Sequence, residues 1–124
     1  MTINHAPSLY RGKLLTVDGE YSWLYGDYLT MDGRSWILPP DQYEESEVQP
    51  NTVGLWTGLT DKNDTEIFEG DIVRIGTGTF IVAWNVECAG FQLFRDDTWY
   101  GSINCFYKDV EIVGNVFDSP EALQ

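Results

Sequence analysis

The sequence predicts an all-β protein of mainly antiparallel strands, with an N-terminal hairpin region followed by a small C-terminal barrel or roll. Glycine and other turn residues punctuate the chain about every eight to twelve residues, which is typical of short paired strands. A hydrophobic content of 43% with 15% aromatic residues is enough for a packed interior. Helix signals are confined to residues 119–123, where a serine, a proline and an acidic residue predict one terminal turn.

In the N-terminal region, residues 21–31 are rich in aromatic side chains and predict a strand. Asp32-Gly33 is a hairpin turn signal, and residues 35–38 are expected to return as the partner strand. Pro39-Pro40 should end the pairing because proline has no N–H for a ladder. The acidic segment 41–49 is expected to be a loop or linker. We therefore predict two regions, 1–49 and 50–124.

The C-terminal region is predicted to consist of closely spaced strands joined by short connections. Gly76-Thr77-Gly78 is suited to a hairpin connection. Nearly continuous apolar residues in 72–75 and 80–84 indicate strands that are buried on both faces, or on one face with aromatic side chains covering the other. The strands are predicted at residues 53–57, 66–68, 71–75, 79–86, 90–95, 99–106 and 110–116.

One motif carries a family resemblance. It begins Thr57-Gly58-Leu59, continues through Asp61-Lys62-Asn63-Asp64, and ends Ile67-Phe68-Glu69-Gly70-Asp71-Ile72-Val73. This order resembles the YopX proteins of phages and prophages, whose pattern runs Thr-Gly-Leu, Asp-Lys-Asn-Gly and Ile-(Tyr/Phe)-Glu-Gly-Asp-Ile-Val. The opening Tyr10-Arg11-Gly12-Lys13 and the closing Gly114-Asn115 with Asp118-Ser119-Pro120-Glu121 are also similar.

The resemblance implies a phage or prophage origin and an SH3-like roll in the C-terminal region, and it brings no molecular role with it. Two positions depart from the pattern. Asp64 stands where the family has a glycine, and Asp tolerates a left-handed backbone better than most residues. Tyr21-Ser22 is inserted before Trp23, which blurs the register of the first hairpin.

The polar residues of the motif allow a chemical and a structural interpretation. Glu69 and Asp71 could form an acid–base pair, but the intervening Gly70 favours a corner at which Asp71 caps backbone N–H groups. Residues 61–64 have alternating oxygen ligands, yet a calcium loop needs glycine at its sixth place and Glu at its twelfth. Those places hold Glu66 and Ile72, which favours a polar hairpin turn. We interpret Thr57, Gly58, Leu59, Asp61, Glu69, Gly70, Asp71, Gly114 and Asn115 as structural signature residues.

No set of residues for catalysis, a metal or a cofactor can be assembled from the sequence. Cys88 and Cys105 are the only cysteines, and we expect both to be buried thiols. His5 is the single histidine, whereas structural zinc wants about four Cys/His ligands. A phosphate-binding loop is missing too, because Gly76-Thr77-Gly78 leads into a strand. We expect a protein that is not an enzyme and uses no cofactor.

The net charge of −13 limits the partners. Seven scattered Lys and Arg residues do not supply the basic cluster that a phosphate backbone requires, so direct nucleic-acid binding is not expected. The charge has two interpretations: it keeps the protein soluble, or it forms a surface that attracts basic proteins or imitates DNA. No apolar run reaches the roughly 18 residues of a membrane span, and the first residues lack signal-peptide features. The expected compartment is the cytoplasm.

The aromatic side chains are the remaining candidates for function. Core packing explains most of them, since Trp and Tyr pair well across strands. Those left on a surface would mark a protein interface, and Tyr25, Tyr28, Trp99 and Tyr100 are expected to be the exposed ones. Trp99 and Tyr100 follow Asp96-Asp97, a polar turn that should place them near solvent. The expected partner is another protein, with a host factor as one candidate. Self-association through the hairpin of residues 21–38 is also expected.

Overall fold

The computed structural model describes residues 9–15 and 22–123, and in these ranges it is all-β, with every strand pair antiparallel. The predicted fold class is confirmed, whereas the SH3-like character of the C-terminal region stays a prediction. The contacts divide the chain into two units, Met1–Leu55 and Trp56–Gln124. The domain limits 1–49 and 50–124 remain a sequence-based prediction. Tyr21 and His5 lie outside the described residues.

The first unit is built around a hairpin flanked by further strands. β1 is Tyr10–Lys13, β2 is Trp23–Met31, β3 is Arg34–Leu38 and β4 is Ser46–Val48. They pair in the order β4-β3-β2-β1, and the first residues of β5 (Gly54–Thr60) pair with the other side of β1. The turn between β2 and β3 is Asp32-Gly33 with φ of 54° and 75°, the left-handed pair that a type I′ hairpin needs.

Two strands of this unit differ from the sequence-based expectation. β1 lies in a segment that had no predicted strand, and β4 lies inside segment 41–49, which was predicted to be a loop. β4 is held because Val48 is fully buried and because Ser35, Trp36 and Ile37 of β3 pair with it. Each strand of the hairpin is therefore paired on its outer edge as well, β2 with β1 and β3 with β4.

The second unit contains a five-stranded antiparallel sheet. Its strands are β7 (Asp71–Ile75), β8 (Gly78–Asn85), β9 (Gly90–Arg95), β10 (Thr98–Ser102) and β11 (Glu111–Asn115), in the order β10-β9-β8-β7-β11. β6 (Glu66–Phe68) pairs with the later part of β5. The core of this unit consists of Ile67, Val73, Phe80, Val82, Leu93, Ile103 and Val110.

Several predicted strands coincide with the structure, and one was predicted to continue four residues past its observed end. β6, β7 and β9 have the predicted limits. The strand predicted for residues 99–106 ends at Ser102, because the Ser102 hydroxyl accepts a hydrogen bond from the Asn104 N–H and starts a 3-10 turn at Ile103–Cys105. A further 3-10 turn at Pro120–Leu123 fits the predicted terminal turn.

The prediction of buried thiols was wrong. Cys88 and Cys105 are both exposed and neither is in a disulfide. Cys88 lies in the turn between β8 and β9, and Cys105 lies in the 3-10 turn after β10. Connections of this kind run over the surface, so their thiols are not drawn into the core.

Candidate functional site

The turn after β5 is organised by the carboxylate of Asp61. Its Oδ1 accepts hydrogen bonds from the N–H groups of Asn63 (2.9 Å) and Thr65 (3.0 Å), and its Oδ2 accepts one from Ile112 N–H (3.0 Å). The residue is 5% exposed. Burial alone would raise the pKa of Asp61, but these three N–H groups and the Lys62 charge outweigh it and hold the pKa below its ordinary value.

The same turn makes two further contacts, one with β11 and one with the residue just before it. Lys62 N–H donates to the Val110 carbonyl (3.0 Å), and Lys62 Nζ lies 3.2 Å from a carboxylate oxygen of Glu111. Arg74 donates to that same oxygen at 2.9 Å. Hydrogen bonds from Arg74 and Lys62 lower the pKa of Glu111. The signature turn thus depends on a strand almost fifty residues later in the chain.

Thr57, Gly58 and Leu59 are also engaged within the fold. The Thr57 hydroxyl donates to the Ile67 carbonyl (2.7 Å) and accepts from Leu59 N–H (3.2 Å). Gly58 lies between them with φ of 86°, a conformation that favours glycine. Leu59 packs against the core of the second unit. These residues shape an irregular stretch of β5.

The Glu69-Gly70-Asp71 corner connects β6 to β7. Asp71 is 2% exposed, and its Oδ2 accepts a hydrogen bond from Phe68 N–H at 2.8 Å, the bond that the capping interpretation expects. Gly70 is buried with φ of 91°. Glu69 is half-buried and also has an interaction partner within the fold.

Gly114 and Asn115 close the second unit. A Cβ at Gly114 would lie 2.8 Å from Ser119 Cβ, so no larger residue fits without a shift. Asn115 Oδ1 accepts hydrogen bonds from the N–H groups of Phe117 (3.0 Å) and Asp118 (2.9 Å). The carboxylate, hydroxyl and amide groups of Asp61, Asp71, Thr57 and Asn115 therefore all bond to backbone, and the arrangement supports a structural role for the signature.

The Asp61 turn gives a first testable prediction, which concerns calcium. Within residues 9–15 and 22–123, no group of three or more His, Cys, Asp or Glu side chains is placed to hold a metal ion. Both oxygens of Asp61 already accept N–H groups. Adding calcium or a chelator should leave the thermal midpoint unchanged, since a ligand that binds only the native state must raise it. A rise of several degrees in a calcium titration would contradict this.

Three of the four aromatic residues expected at the surface are exposed. Trp99 is 60% exposed, Tyr100 49% and Tyr25 42%. Tyr28 is half-buried instead, because its ring lies 5.5 Å from that of Tyr10 and its hydroxyl shares a hydrogen bond with Ser35 Oγ at 3.1 Å. We call the adjacent pair on β10 the Trp99–Tyr100 surface.

The two rings of the Trp99–Tyr100 surface are fixed by contacts with neighbouring side chains. The Trp99 indole N–H donates to Gln92 Oε1 at 2.6 Å, and Gln92 is only 5% exposed. The Tyr100 ring stacks on Phe80 with centroids 4.2 Å apart, and it also lies 5.6 Å from Phe106. Side chains that are fixed before a partner arrives lose less entropy on binding.

A groove of about 310 Å³ lies beside these rings. Arg95 NH1 is directed to Thr79, donating to its carbonyl at 3.0 Å and its hydroxyl at 2.7 Å. The groove is lined by Phe80, Arg95, Asp96, Thr98, Trp99 and Tyr100.

Sequence reasoning missed several residues of this surface. Gln92 contacts Trp99 from β9, and Phe80 contacts Tyr100 from β8. These contacts could not be predicted because they depend on the order of the strands in the sheet. Trp84 was not expected at the surface and is 45% exposed, with its ring 5.0 Å from Phe91. The Asp96-Asp97 turn was the one available signal for the position of Trp99 near solvent.

Comparison with known proteins gives a family and shows similarity to a solved structure. The family model described as "YopX protein" matches residues 20–124. The crystal structure of protein EF1440 from Enterococcus faecalis is similar to this chain, with a sequence identity of 19% and a TM-score of 0.47. The similarity covers 96% of this chain and 99% of that one. A search of curated proteins finds no match. No helix in the described part of the chain has the length and apolar character needed to cross a membrane.

Proposed function

The chain belongs to the YopX family, and from this premise we propose that it is a non-enzymatic protein-interaction module. Its second unit binds a partner protein through the Trp99–Tyr100 surface. The observation that supports this most is the pairing of high exposure with fixed geometry, since both rings face solvent while Gln92 and Phe80 hold them. Aromatic residues of this kind are enriched in protein interfaces.

The absence of enzymatic activity is part of the proposal. The side chains most suited to chemistry in the signature, Asp61 and Asp71, are buried and accept backbone hydrogen bonds. Groups used in this way stabilise the fold and are not presented to a substrate. The scattered Lys and Arg residues likewise support a protein partner over nucleic acid or a membrane.

The resemblance to phage and prophage proteins supports an origin in a phage genome. On this view the protein acts in the cytoplasm of the bacterial host, and a host protein is the expected partner. An alternative function follows from the net charge of −13. An acidic surface can imitate DNA and occupy the basic groove of a host factor. The two functions differ in salt dependence, because charge-driven binding weakens steeply as salt screens it.

The interaction can be tested by capture from host lysate at about 0.05 and 0.5 M salt. We expect the wild-type protein to retain a partner at both concentrations and a Trp99→Ala/Tyr100→Ala variant to lose it. Trp84→Ala is the matched control, since Trp84 is a similarly exposed ring on the same sheet. Retention by the double variant would contradict the proposed surface. Loss of all capture at high salt, whichever variant is used, would favour the DNA-mimic alternative.

Self-association through the hairpin of residues 21–38 is a second proposed interaction. Among the described residues of this hairpin, Tyr25 and Met31 are the large apolar side chains at the surface, 42% and 40% exposed. We expect sedimentation at on the order of tens of micromolar to show a dimer, more so at high salt because the mutual repulsion of two acidic chains is screened. Tyr25→Ser should shift the protein toward monomer. A monomer at both low and high salt would contradict this expectation.

A further inference from the structure

The groove beside β10 combines an aromatic wall with an acidic rim. The wall is the Trp99–Tyr100 surface with Phe80 behind Tyr100. The rim is the two-residue turn Asp96-Asp97, which joins β9 to β10, and Asp96 lines the groove directly. In the described part of the chain, neither of these carboxylates accepts a hydrogen bond or forms an ion pair. The groove thus offers π faces and negative charge at one place.

Charge decides which ligand such a groove takes. The face of an indole or phenol ring attracts cations, and more so when the ring lies beside a carboxylate. Arg95 also lines the groove, but its NH1 is directed to the carbonyl and hydroxyl of Thr79. The surrounding chain strengthens the preference, because residues 57–124 contain four Lys or Arg against twelve Asp or Glu. An anionic ligand would meet this field as a repulsion.

We propose that the groove binds an arginine side chain that protrudes from a partner protein, with the guanidinium stacked on Trp99 and paired with the Asp96 carboxylate. This inference rests on the proposed function and adds the chemistry of the partner. Arginine fits better than lysine because its planar guanidinium can stack on a ring while it donates two parallel hydrogen bonds to a carboxylate. The volume of about 310 Å³ leaves room for one extended side chain and part of its backbone.

The probe is a blocked pentapeptide, acetyl-Gly-Thr-Arg-Thr-Gly-amide, compared with the same peptide carrying citrulline in place of arginine. Citrulline keeps the shape and removes the charge. The readout is the NMR signal of the indole N–H groups, since the chain has five tryptophans and four of them act as internal controls. We expect the arginine peptide to shift the Trp99 signal in a saturable, salt-sensitive way, with little change at Trp23, Trp36, Trp56 or Trp84.

Two variants separate the contributions of charge and ring. Asp96→Asn should weaken binding about three- to fivefold. It should leave the fold intact, because Asp96 has φ of 50° and Asn tolerates this region well. Trp99→Leu should abolish the interaction, and thermal unfolding will show whether that variant is folded. If it is not, Asp96→Asn alone decides the matter.

Distinct outcomes would overturn the inference. Equal shifts from the citrulline peptide, no Trp99 shift with the arginine peptide, or unchanged affinity in Asp96→Asn would each contradict it. A larger shift with inorganic phosphate would show that Arg95 makes an anion site instead. The proposed function fails separately, when lysate capture does not depend on Trp99 and Tyr100. Capture that depends on these rings, together with no preference for arginine over citrulline, would refute only the arginine assignment.

Discussion

Replacing Gly70 by valine should destabilise the protein by on the order of 3 kcal/mol, which corresponds to a fall of about 10 °C in thermal midpoint for a chain of this length. Gly70 has φ of 91°, a conformation that a β-branched residue does not reach without strain. Its N–H donates to the Val82 carbonyl (2.8 Å) and its own carbonyl accepts from Val116 N–H (2.9 Å). A backbone that relaxes to suit valine would lose these bonds between β8, the corner and the C-terminal segment.

Asp64→Gly is the matched control for this prediction. Asp64 also has a positive φ, 63°, but it is exposed, so glycine there relieves strain without opening the core. We expect a change of at most about 0.5 kcal/mol, in the stabilising direction. Gly70→Ala should fall between the two. Equal thermal midpoints for Gly70→Val and Asp64→Gly would show that the corner does not require glycine.

Local turn chemistry explains why much of the fold could be predicted. Asp32-Gly33 and Gly76-Thr77 each form a two-residue hairpin loop. Both residues of the first loop and Gly76 of the second have the positive φ that such loops need. Once those loops are placed, β-branched and aromatic runs between them are constrained to be strands, and β7 and β9 follow with the predicted limits. The corner at Gly70 follows in the same way from its position between two such runs.

Elements that depend on distant partners could not be predicted in this way. β1 is a four-residue strand with a central glycine, and it exists because β2 and the start of β5 pair with its two sides. β4 has an acidic and polar sequence that reads as a loop, yet Val48 is fully buried. Short segments of this type carry too few side chains for a periodic pattern to show.

In the candidate site too, features set by local sequence could be predicted, and features that depend on distant strands could not. The interpretation of residues 61–64 as a turn needed only their own sequence, whereas the bond from Ile112 N–H to Asp61 needed β11 to be placed beside the turn. Exposure of Trp99 followed from the polar turn before it. The burial of Tyr28 did not, because it depends on Tyr10 from β1, a strand that the sequence did not predict.

Asp61→Asn should destabilise the protein by about 2 to 3 kcal/mol at neutral pH, the cost of weakening buried hydrogen bonds to a charged acceptor. Asn has one carbonyl oxygen, so its NH₂ group would face one of the donors among Asn63, Thr65 and Ile112. Asp64→Asn is the matched control, because it removes the same charge from an exposed position in the same turn. It should change stability by less than about 0.5 kcal/mol. Urea unfolding of the three proteins would measure the difference.

The difference in unfolding free energy between wild type and Asp61→Asn should depend on pH, because the charged form of Asp61 is the stabilising one. Burial acts to raise the pKa of Asp61, but the N–H groups of Ile112, Thr65 and Asn63 and the Lys62 charge hold it below 3.8, its ordinary value. A carboxylate whose pKa is lower in the folded state contributes stability that is complete above the unfolded value and is lost as pH falls through the folded one. The gap between wild type and Asp61→Asn should therefore be constant from neutral pH to about pH 5 and should shrink progressively below 3.8. A gap that stays unchanged down to the acid limit of folding would show that the three N–H groups do not require the ionised carboxylate.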